Sequence, residues 1–596
     1  MLKLNQSRNH KKELCMKTKI ALSGIWQFAP EHDQRPTNNH NVGAERPFYA
    51  DERLDRRHWE RVQVPGVWQR YAEKYSIYEG VCWFYREFDL KGTEDISKAR
   101  LVFKGVNYRA EVYMNGQYAG EHESGYTEFS FDVSHLIRNG KNTLAVKVDN
   151  RPLITKWPND WGYGVFGGIH RDVYIELFKD EFISDISLIP DYDVQRRCGI
   201  LRFEAKASQG VELAEIRLGN TVKQVCFNDG AASAILEFCD IEPWSPDSPT
   251  LYDIEIGDGS CVYESRKIGF RHLSYKNRKI LLNGEPITLK GICYVYESPK
   301  LGLVMDREQL LADLSLIKAA NANFVRTHYP MSDDFYELCD ELGLTVWIEP
   351  NVYCSKPNGD ATDTVFKKAE YVDAAVSMTE EMVNAAKKFA SVIIYGIGNE
   401  CNTDHPEAYP FFERLSSSVR ASDDTRLIGY ASLYGRVGVI SDLVDVMGIN
   451  SYYGWYGVMS YFDIEDRLES DGTSVKIRKV ENIDKLHALI EQTEAQTSPD
   501  TPILLTEFGA DSVPDYNSSA CDLWSEEYHA AVVYEYVMAQ KEHESVAGGS
   551  VFAFSDYSDP SKPMNGRWNG YNLKGMVTYD RRPKAAYSAL KKAYSK

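Results

Sequence analysis

The chain has 596 residues, more than a single hydrophobic core normally serves, so we expect about two to four domains. Hydrophobic residues make up 43% of it and charged residues 26%, which is typical of a soluble globular protein. The formal net charge of −19 disfavours binding to nucleic acid or to an anionic membrane. We therefore expect neither as a partner.

The amino-terminal segment and the cysteines bear on localisation. Residues 1–19 show no apolar core or cleavage site of a secretory signal, and we predict a disordered tail there. No stretch of the chain is apolar over a membrane-spanning length. The 11 cysteines are odd in number and lack C-x-x-C spacing, which predicts free thiols in a reducing compartment. These features favour the cytoplasm; a periplasmic protein whose signal was removed is the alternative.

The pattern from residue 20 to residue 181 is all-β. Alternating or clustered apolar residues predict strands at 100–104, 110–114 and 143–148. Asn115-Gly116 lies between two such runs and predicts a two-residue hairpin turn. Together these features predict a jelly-roll β-sandwich.

Two further domains are predicted after the first sandwich. Shorter strands continue over residues 182–275, a length that suits an immunoglobulin-like sandwich. From residue 276 to residue 596, apolar strands alternate with amphipathic helical sequence. We predict eight strands, each followed by helix-like sequence, which together would form a (β/α)8 barrel. The predicted fold is therefore two β-sandwiches followed by a TIM barrel.

Two glutamates end apolar runs within the predicted barrel. Glu400 follows Ser391–Asn399, and Glu507 follows Pro502–Thr506. Runs rich in β-branched residues predict strands that are buried on both faces. A carboxylate just past such a strand lies at the C-terminal rim, where barrel enzymes hold their chemistry. A pair of carboxyls about 5 Å apart can cleave a glycosidic bond with retention. Spacing alone leaves open which one is the acid and which the nucleophile.

These motifs resemble those of a known family. Gly398-Asn399-Glu400 and Thr506-Glu507-Phe508-Gly509 resemble the two catalytic motifs of glycoside hydrolase family 2, and the three-part organisation is similar too. Further likeness lies in Gly168–Arg171, Arg326–Pro330 and Trp524–Tyr528. The resemblance implies that Glu400 is the acid/base, that Glu507 is the nucleophile and that Asn399 binds the sugar 2-hydroxyl.

Within that family the chain resembles β-glucuronidases. Asn450–Tyr456 is similar to their active-site tyrosine segment, and Asn572-Leu573-Lys574 to the element that holds the C6 carboxylate. A lysine with an asparagine gives a charge-assisted grip on a carboxylate, although a similar element occurs in some galactosidases. The remaining substrate-binding candidates, each of which also has a purely structural interpretation, are Asp160, His328, Tyr452 and Tyr456.

Three segments depart from the family pattern. Where an Arg-His pair is usual after the first barrel strand, this chain has Gly291–Ser298. Phe552 replaces a tryptophan of the bacterial glucuronidases on the eighth strand, and Trp568 stands where they carry an arginine. Because these positions line the sugar pocket, the departures leave the identity of the sugar open.

The sequence thus predicts a retaining exo-β-glycosidase that acts on terminal β-linked uronic acids, with β-D-glucuronides preferred. A β-D-galacturonidase or β-D-galactosidase is the alternative within the family, and a non-catalytic carbohydrate-binding protein is the alternative outside it. We expect a small carbohydrate or glycoconjugate as substrate and a homo-oligomeric assembly. No cofactor or metal is predicted, because Cys401 and His405 are too few ligands and too loosely spaced.

Overall fold

The computed structural model describes most of the chain. The described residues are 17–31, 48–92, 96–151, 155–156, 166–179, 181–259, 261–304, 306–353, 365–456, 464–468, 474–478, 480, 483–559 and 570–595. Two β-sandwiches precede a closed barrel, so the predicted fold class is confirmed.

The first sandwich packs a four-stranded sheet on a six-stranded sheet, with an apolar core between them. Its first described strand, Lys17–Ala21, overlaps the end of the predicted tail and pairs with the last strand of the sandwich, whereas residues 1–16 of that tail lie outside the described residues. Short 3-10 helices lie at Phe48–Ala50, Trp68–Arg70 and Glu73–Tyr75. The strands are β1 Lys17–Ala21, β2 Gly24–Pro30, β3 Glu60–Val64, β4 Val81–Leu90, β5 Ile96–Phe103, β6 Val106–Asn107, β7 Arg109–Met114, β8 Gln117–Glu123, β9 Phe129–Asp132, β10 Gly140–Asp149, β11 Gly168–Ile169 and β12 Val173–Lys179.

The predicted hairpin joins β7 to β8. Asn115 has φ 53° and Gly116 has φ 72°, and Met114 pairs directly with Gln117. Two successive positive φ values are what a tight hairpin turn with the natural strand twist requires, and asparagine and glycine tolerate them best. The turn prediction is confirmed.

The second sandwich has a three-stranded and a four-stranded sheet, the strand count of a constant-type immunoglobulin domain. Its side chains alternate as expected: in β14, Leu201, Phe203 and Ala205 are buried, whereas Glu204 is exposed. The strands are β13 Ile183–Asp193, β14 Cys198–Ala207, β15 Leu213–Leu218, β16 Thr221–Cys226, β17 Ala231–Phe238, β18 Tyr252–Gly257 and β19 Val262–Ile268.

A small sheet leads into the barrel: β20 Leu273–Lys276, β21 Lys279–Leu282 and β22 Glu285–Ile287. Its apolar residues pack against side chains near the starts of the barrel strands. This sheet therefore closes the N-terminal end of the barrel and leaves the C-terminal rim for the site.

Eight parallel strands close the barrel, and their side chains are almost entirely buried. They are β23 Leu289–Val295, β24 Phe324–His328, β25 Thr345–Ile348, β26 Val392–Asn399, β27 Leu427–Leu433, β28 Val446–Asn450, and, after a hairpin of β29 Ile464–Leu468 and β30 Ser474–Arg478, β31 Ile503–Glu507 and β32 Val546–Val551. Two short strands follow, β33 Tyr557–Ser558 and β34 Tyr571–Asn572.

Within the described ranges, α-helices follow seven of the eight barrel strands. The prediction of a helix after every strand is wrong for β27. The connection there spans only residues 434–445, about the shortest length for a crossover between parallel strands, and holds a 3-10 helix at Gly438–Ile440. A further 3-10 turn is Val365–Lys367. The helices are α1 Arg307–Ala319, α2 Asp333–Leu342, α3 Ala369–Ala386, α4 Ala408–Ser422, α5 Ile483–Gln496, α6 Glu526–Glu542 and α7 Ala585–Ser595.

None of these described helices is both long enough and apolar enough to cross a membrane.

Candidate active site

Glu507 lies at the end of β31 and is almost fully buried. Its Oε1 accepts a hydrogen bond from Arg326 Nη1 at 2.7 Å, and its Oε2 accepts one from the Tyr452 hydroxyl at 2.7 Å. His328 Nε2 lies 3.4 Å from Oε1. Each carboxylate oxygen therefore has a polar partner, and the orientation of the group is fixed.

The protonation state of Glu507 follows from these contacts. Burial alone would raise the pKa of this carboxyl, but the hydrogen bond from His328 and the charge of Arg326 outweigh it and lower the pKa to about 2. Burial also raises the pKa of Tyr452 well above its usual value, and the neighbouring Glu507 charge adds to this. Near neutral pH the site thus holds an ionised Glu507 beside a protonated phenol.

Glu400 directly follows β26 and is partly exposed. Its φ of 53° is in the left-handed region, which costs a residue with a Cβ roughly 1–2 kcal/mol. The backbone N–H donates to the Ala431 carbonyl at 2.8 Å, and Asn450 Nδ2 donates to Oε1 at 2.9 Å. Backbone strain of this kind concentrates at functional sites.

The amide of Asn399 lies between the two glutamates. Its Oδ1 accepts hydrogen bonds from Arg326 Nη2 at 2.8 Å and from Asn450 Nδ2 at 2.9 Å. Because Arg326 also binds Glu507, and Asn450 also binds Glu400, one hydrogen-bonded network links both carboxylates. The two predicted catalytic residues are therefore brought together on the same rim.

A third glutamate, which also comes directly after a barrel strand, binds Arg326. Glu349 follows β25 and receives Arg326 Nη2 at 2.9 Å on Oε1 and Trp347 Nε1 at 2.9 Å on Oε2. The side chains of Arg326 and Glu349 are both 0% exposed. A buried pair with this many hydrogen bonds holds the guanidinium in one place.

Lys574 lies in the loop after β34 and is buried. Its ammonium forms an ion pair with Asp511 and lies 4.8 Å from the ring centre of Tyr456, 5.4 Å from that of Trp455 and 5.7 Å from that of Tyr452. Since Tyr452 also touches Glu507, a single tyrosine joins the cation to the carboxylate site.

Asn572 helps to shape this loop. Its Oδ1 accepts a hydrogen bond from the Lys574 backbone N–H at 3.1 Å, and its Nδ2 donates to the Tyr557 hydroxyl at 2.6 Å. The side-chain amide nitrogen of Asn572 carries two hydrogens. One of them binds Tyr557, so the second can donate to another acceptor.

The other predicted site residues differ in position. Tyr456 is 45% exposed and packs edge-on against Tyr452. His328 packs edge-on against Phe552, the residue that departs from the family pattern. Asp160 and Trp568 lie outside the described residues.

The departing segment overlaps the end of β23, and its buried residues contribute to an apolar cluster beside the rim. Cys293 and Val295 cluster with Tyr452, Phe552 and Tyr557. Glu297 faces elsewhere, because it accepts hydrogen bonds from Ser558 N at 2.8 Å and the Tyr579 hydroxyl at 2.8 Å and pairs with Arg70 of the first sandwich. Burial raises the pKa of Glu297.

Several residues of the network were not singled out from the sequence. Glu349 carries the same signal as the two predicted glutamates, since it directly follows an apolar strand. Arg326 and Asn450 stood in quoted motifs without a role, and Asp511 carried no signal at all. Among the described residues, no group of three or more histidine, cysteine, aspartate or glutamate side chains could hold a metal ion.

Comparison with known proteins identifies this arrangement. Residues 273–596 match the family described as "Glycosyl hydrolases family 2, TIM barrel domain", and residues 21–179 match "Glycosyl hydrolases family 2, sugar binding domain". The protein is therefore an enzyme of the glycoside hydrolase class. The chain belongs to glycoside hydrolase family 2, as the motifs predicted.

Relatives match nearly the whole chain. A putative β-glucuronidase from Formosa agariphila is 26% identical over an alignment of 582 positions, which covers 91% of this chain and 68% of that protein. The β-glucuronidase of Mus musculus is 26% identical over an alignment of 623 positions, which covers 96% of this chain and 90% of that protein. A crystal structure of a family 2 β-galacturonidase from Eisenbergiella tayi bound to galacturonate has a TM-score of 0.80 and 26% identity, covering 97% of both chains.

Proposed function

We propose that this protein is a retaining exo-β-glycosidase that releases terminal β-linked uronic acid, with β-D-glucuronides as the preferred substrates. The observation that carries the proposal is the rim geometry. An ionised carboxylate, Glu507, is joined through Arg326, Asn399 and Asn450 to a second, more exposed carboxylate, Glu400. The buried ammonium of Lys574 lies 5.7 Å from the ring centre of Tyr452, whose hydroxyl binds Glu507.

In the proposed mechanism Glu507 attacks the anomeric carbon while Glu400 protonates the departing oxygen. The low pKa of Glu507 supports the role of nucleophile, because this group stays ionised. The greater exposure of Glu400 supports the role of acid/base, because it must exchange a proton with the leaving group and then with water. Hydrolysis of the glycosyl-enzyme releases the sugar.

Asn399 and Tyr452 are proposed to orient the sugar and the nucleophile. The Asn399 oxygen is committed to two donors, so its amide nitrogen is the end that can donate to the sugar 2-hydroxyl. The Tyr452 hydroxyl donates to Glu507 and holds the attacking group in place. His328, at the end of β24, would also hold the Glu507 carboxylate in place, since its Nε2 lies 3.4 Å from Oε1.

Lys574 is proposed to bind the C6 carboxylate. Its ammonium has three hydrogens, and Asp511 is its one carboxylate partner among the described residues, so a second carboxylate can share the cation. Tyr456, which lies nearest to that ammonium and is partly exposed, would border the entrance. The β-glucuronidase relatives support this choice of sugar.

A β-D-galacturonide is the second candidate. The likeness to the β-galacturonidase structure bound to galacturonate favours it. Both sugars carry the C6 carboxylate and differ only at C4.

A panel of p-nitrophenyl β-glycosides tests the proposal: glucuronide, galacturonide, galactoside, glucoside and mannoside. We expect kcat/KM to be highest for a uronide, and for the glucuronide above the galacturonide. Highest activity on a neutral hexoside would contradict the proposed carboxylate site, and no hydrolysis of any glycoside would favour a binding protein.

A further inference from the structure

A buried lysine outside the sugar pocket ties two rim loops together. Lys584 immediately precedes α7, and its side chain is 0% exposed. Its Nζ donates to the Ser512 carbonyl at 3.0 Å, to the Leu573 carbonyl at 2.9 Å and to Asp556 Oδ1 at 2.8 Å. An ammonium has three hydrogens, so this set of acceptors is complete.

The two carbonyls belong to the immediate neighbours of the Asp511–Lys574 pair. Ser512 follows Asp511 in the chain, and Leu573 precedes Lys574. The loops also bind each other directly, because Ser512 N donates to the Leu573 carbonyl at 3.0 Å and Leu573 N donates to Asp511 Oδ1 at 2.9 Å. Lys584 thus joins the loop after β31 to the loop after β34.

Asp556 binds the residue that follows Lys574 in the chain. Its Oδ1 accepts the Gly575 N–H at 2.9 Å as well as the Lys584 ammonium. A Cβ at position 575 would meet the Asp556 backbone nitrogen at 2.1 Å, so only glycine permits this approach. Lys574 is therefore anchored on both flanks, by Lys584 directly and by Asp556.

We propose that Lys584 is a positioning residue that sets the place of the Lys574 ammonium and, through it, the selectivity for a charged sugar. This inference rests on the proposed function, in which Lys574 binds the uronate. Lys584 contacts neither the two glutamates nor Tyr452 in the described structure, so its effect is confined to the carboxylate side. A lysine that only stabilised the fold would affect charged and neutral substrates alike.

The test compares Lys584→Met with Lys318→Met in the full-length enzyme. Lys318 is a matched control, because its ammonium also ties two carbonyls, those of Pro246 and Gly343, but away from the rim. Each variant is assayed on a p-nitrophenyl β-uronide and on the neutral hexoside of the same configuration, with melting temperature measured in parallel.

We expect Lys584→Met to lower the uronide-to-hexoside ratio of kcat/KM by about ten- to a hundredfold, mainly through KM, since small misplacements of a binding group have effects of this size. Lys318→Met should leave the ratio unchanged. An unchanged ratio in Lys584→Met, with a wild type that prefers uronides, would overturn the inference.

Two further outcomes are informative. A wild type without any preference for uronides would refute the proposed function itself, whatever Lys584→Met does. If Lys584→Met fails to fold, Asp556→Asn replaces it, because the amide keeps an acceptor for Gly575 but loses its charge. A lowered ratio in Asp556→Asn supports the inference, and an unchanged ratio overturns it.

Discussion

Replacement of Lys574 gives a sharp test of substrate charge recognition. In Lys574→Met the C6 carboxylate loses its cation, and breaking such a buried charge pair costs about 2–5 kcal/mol, or roughly 30- to several-thousand-fold in kcat/KM. The matching neutral hexoside has no charge to satisfy, so its kcat/KM should change little. Assays of both substrates in wild type and variant measure the coupling between Lys574 and the carboxylate.

Lys574 has a buried carboxylate partner, Asp511, so replacing the lysine also affects stability. Asp511 is 2% exposed and pairs with Lys574, so Lys574→Met alone removes the cation beside a buried carboxylate, at a cost of about 3–5 kcal/mol in stability. The double variant Asp511→Asn/Lys574→Met removes both charges. We expect it to recover much of the lost melting temperature while remaining unselective for uronides. A double variant that still prefers uronides would refute the assignment of Lys574.

The remaining predictions concern the two glutamates. Glu400→Ala should slow glycosides with poor leaving groups far more than activated aryl glycosides, because the acid matters most when the departing oxygen is basic; equal losses would argue against Glu400 as the acid. NMR of the fresh product should show the β anomer, because two inversions restore the configuration, and an initial α anomer would exclude retention. The folded pKa of Glu507, about 2, lies below the value of 4.5 for a free side chain, so its ionisation stabilises the fold above about pH 4.5 by about 3 kcal/mol and less as pH falls towards 2. The melting temperature of wild type relative to Glu507→Gln should therefore fall between about pH 5 and pH 3, and a constant difference would contradict the assigned pKa.

The barrel and its two glutamates could be predicted because local pattern carries them. Buried parallel strands are continuous apolar runs; Glu400 directly follows one of them, and Glu507 is the last residue of another. The same signal cannot separate them from Glu349, which also ends a strand but is fully buried beneath Arg326. The different positions of these glutamates depend on how β24, β25 and β31 pack together. The sequence of one segment does not show that packing.

The ion pair between Lys574 and Asp511 could not be predicted from the sequence, for a related reason. Asp511 lies far from it in the chain and carries no local motif, and the two meet only because the loops after β31 and β34 lie side by side on the rim. Asn572 stays a predicted substrate-binding residue, and its amide also binds the Tyr557 hydroxyl of β33 and the backbone N–H of Lys574. The direction of such a side chain depends on tertiary contacts, which form only when the chain folds.

Covalent labelling shows directly whether Glu507 is the nucleophile. The enzyme is incubated with a 2-deoxy-2-fluoro-β-uronosyl fluoride, which forms a glycosyl-enzyme that turns over slowly, and the labelled peptide is sequenced by mass spectrometry. We expect one added sugar per chain on Glu507 and none on Glu507→Gln. A label on Glu400 or on Glu349, or a label that persists in Glu507→Gln, would contradict this assignment.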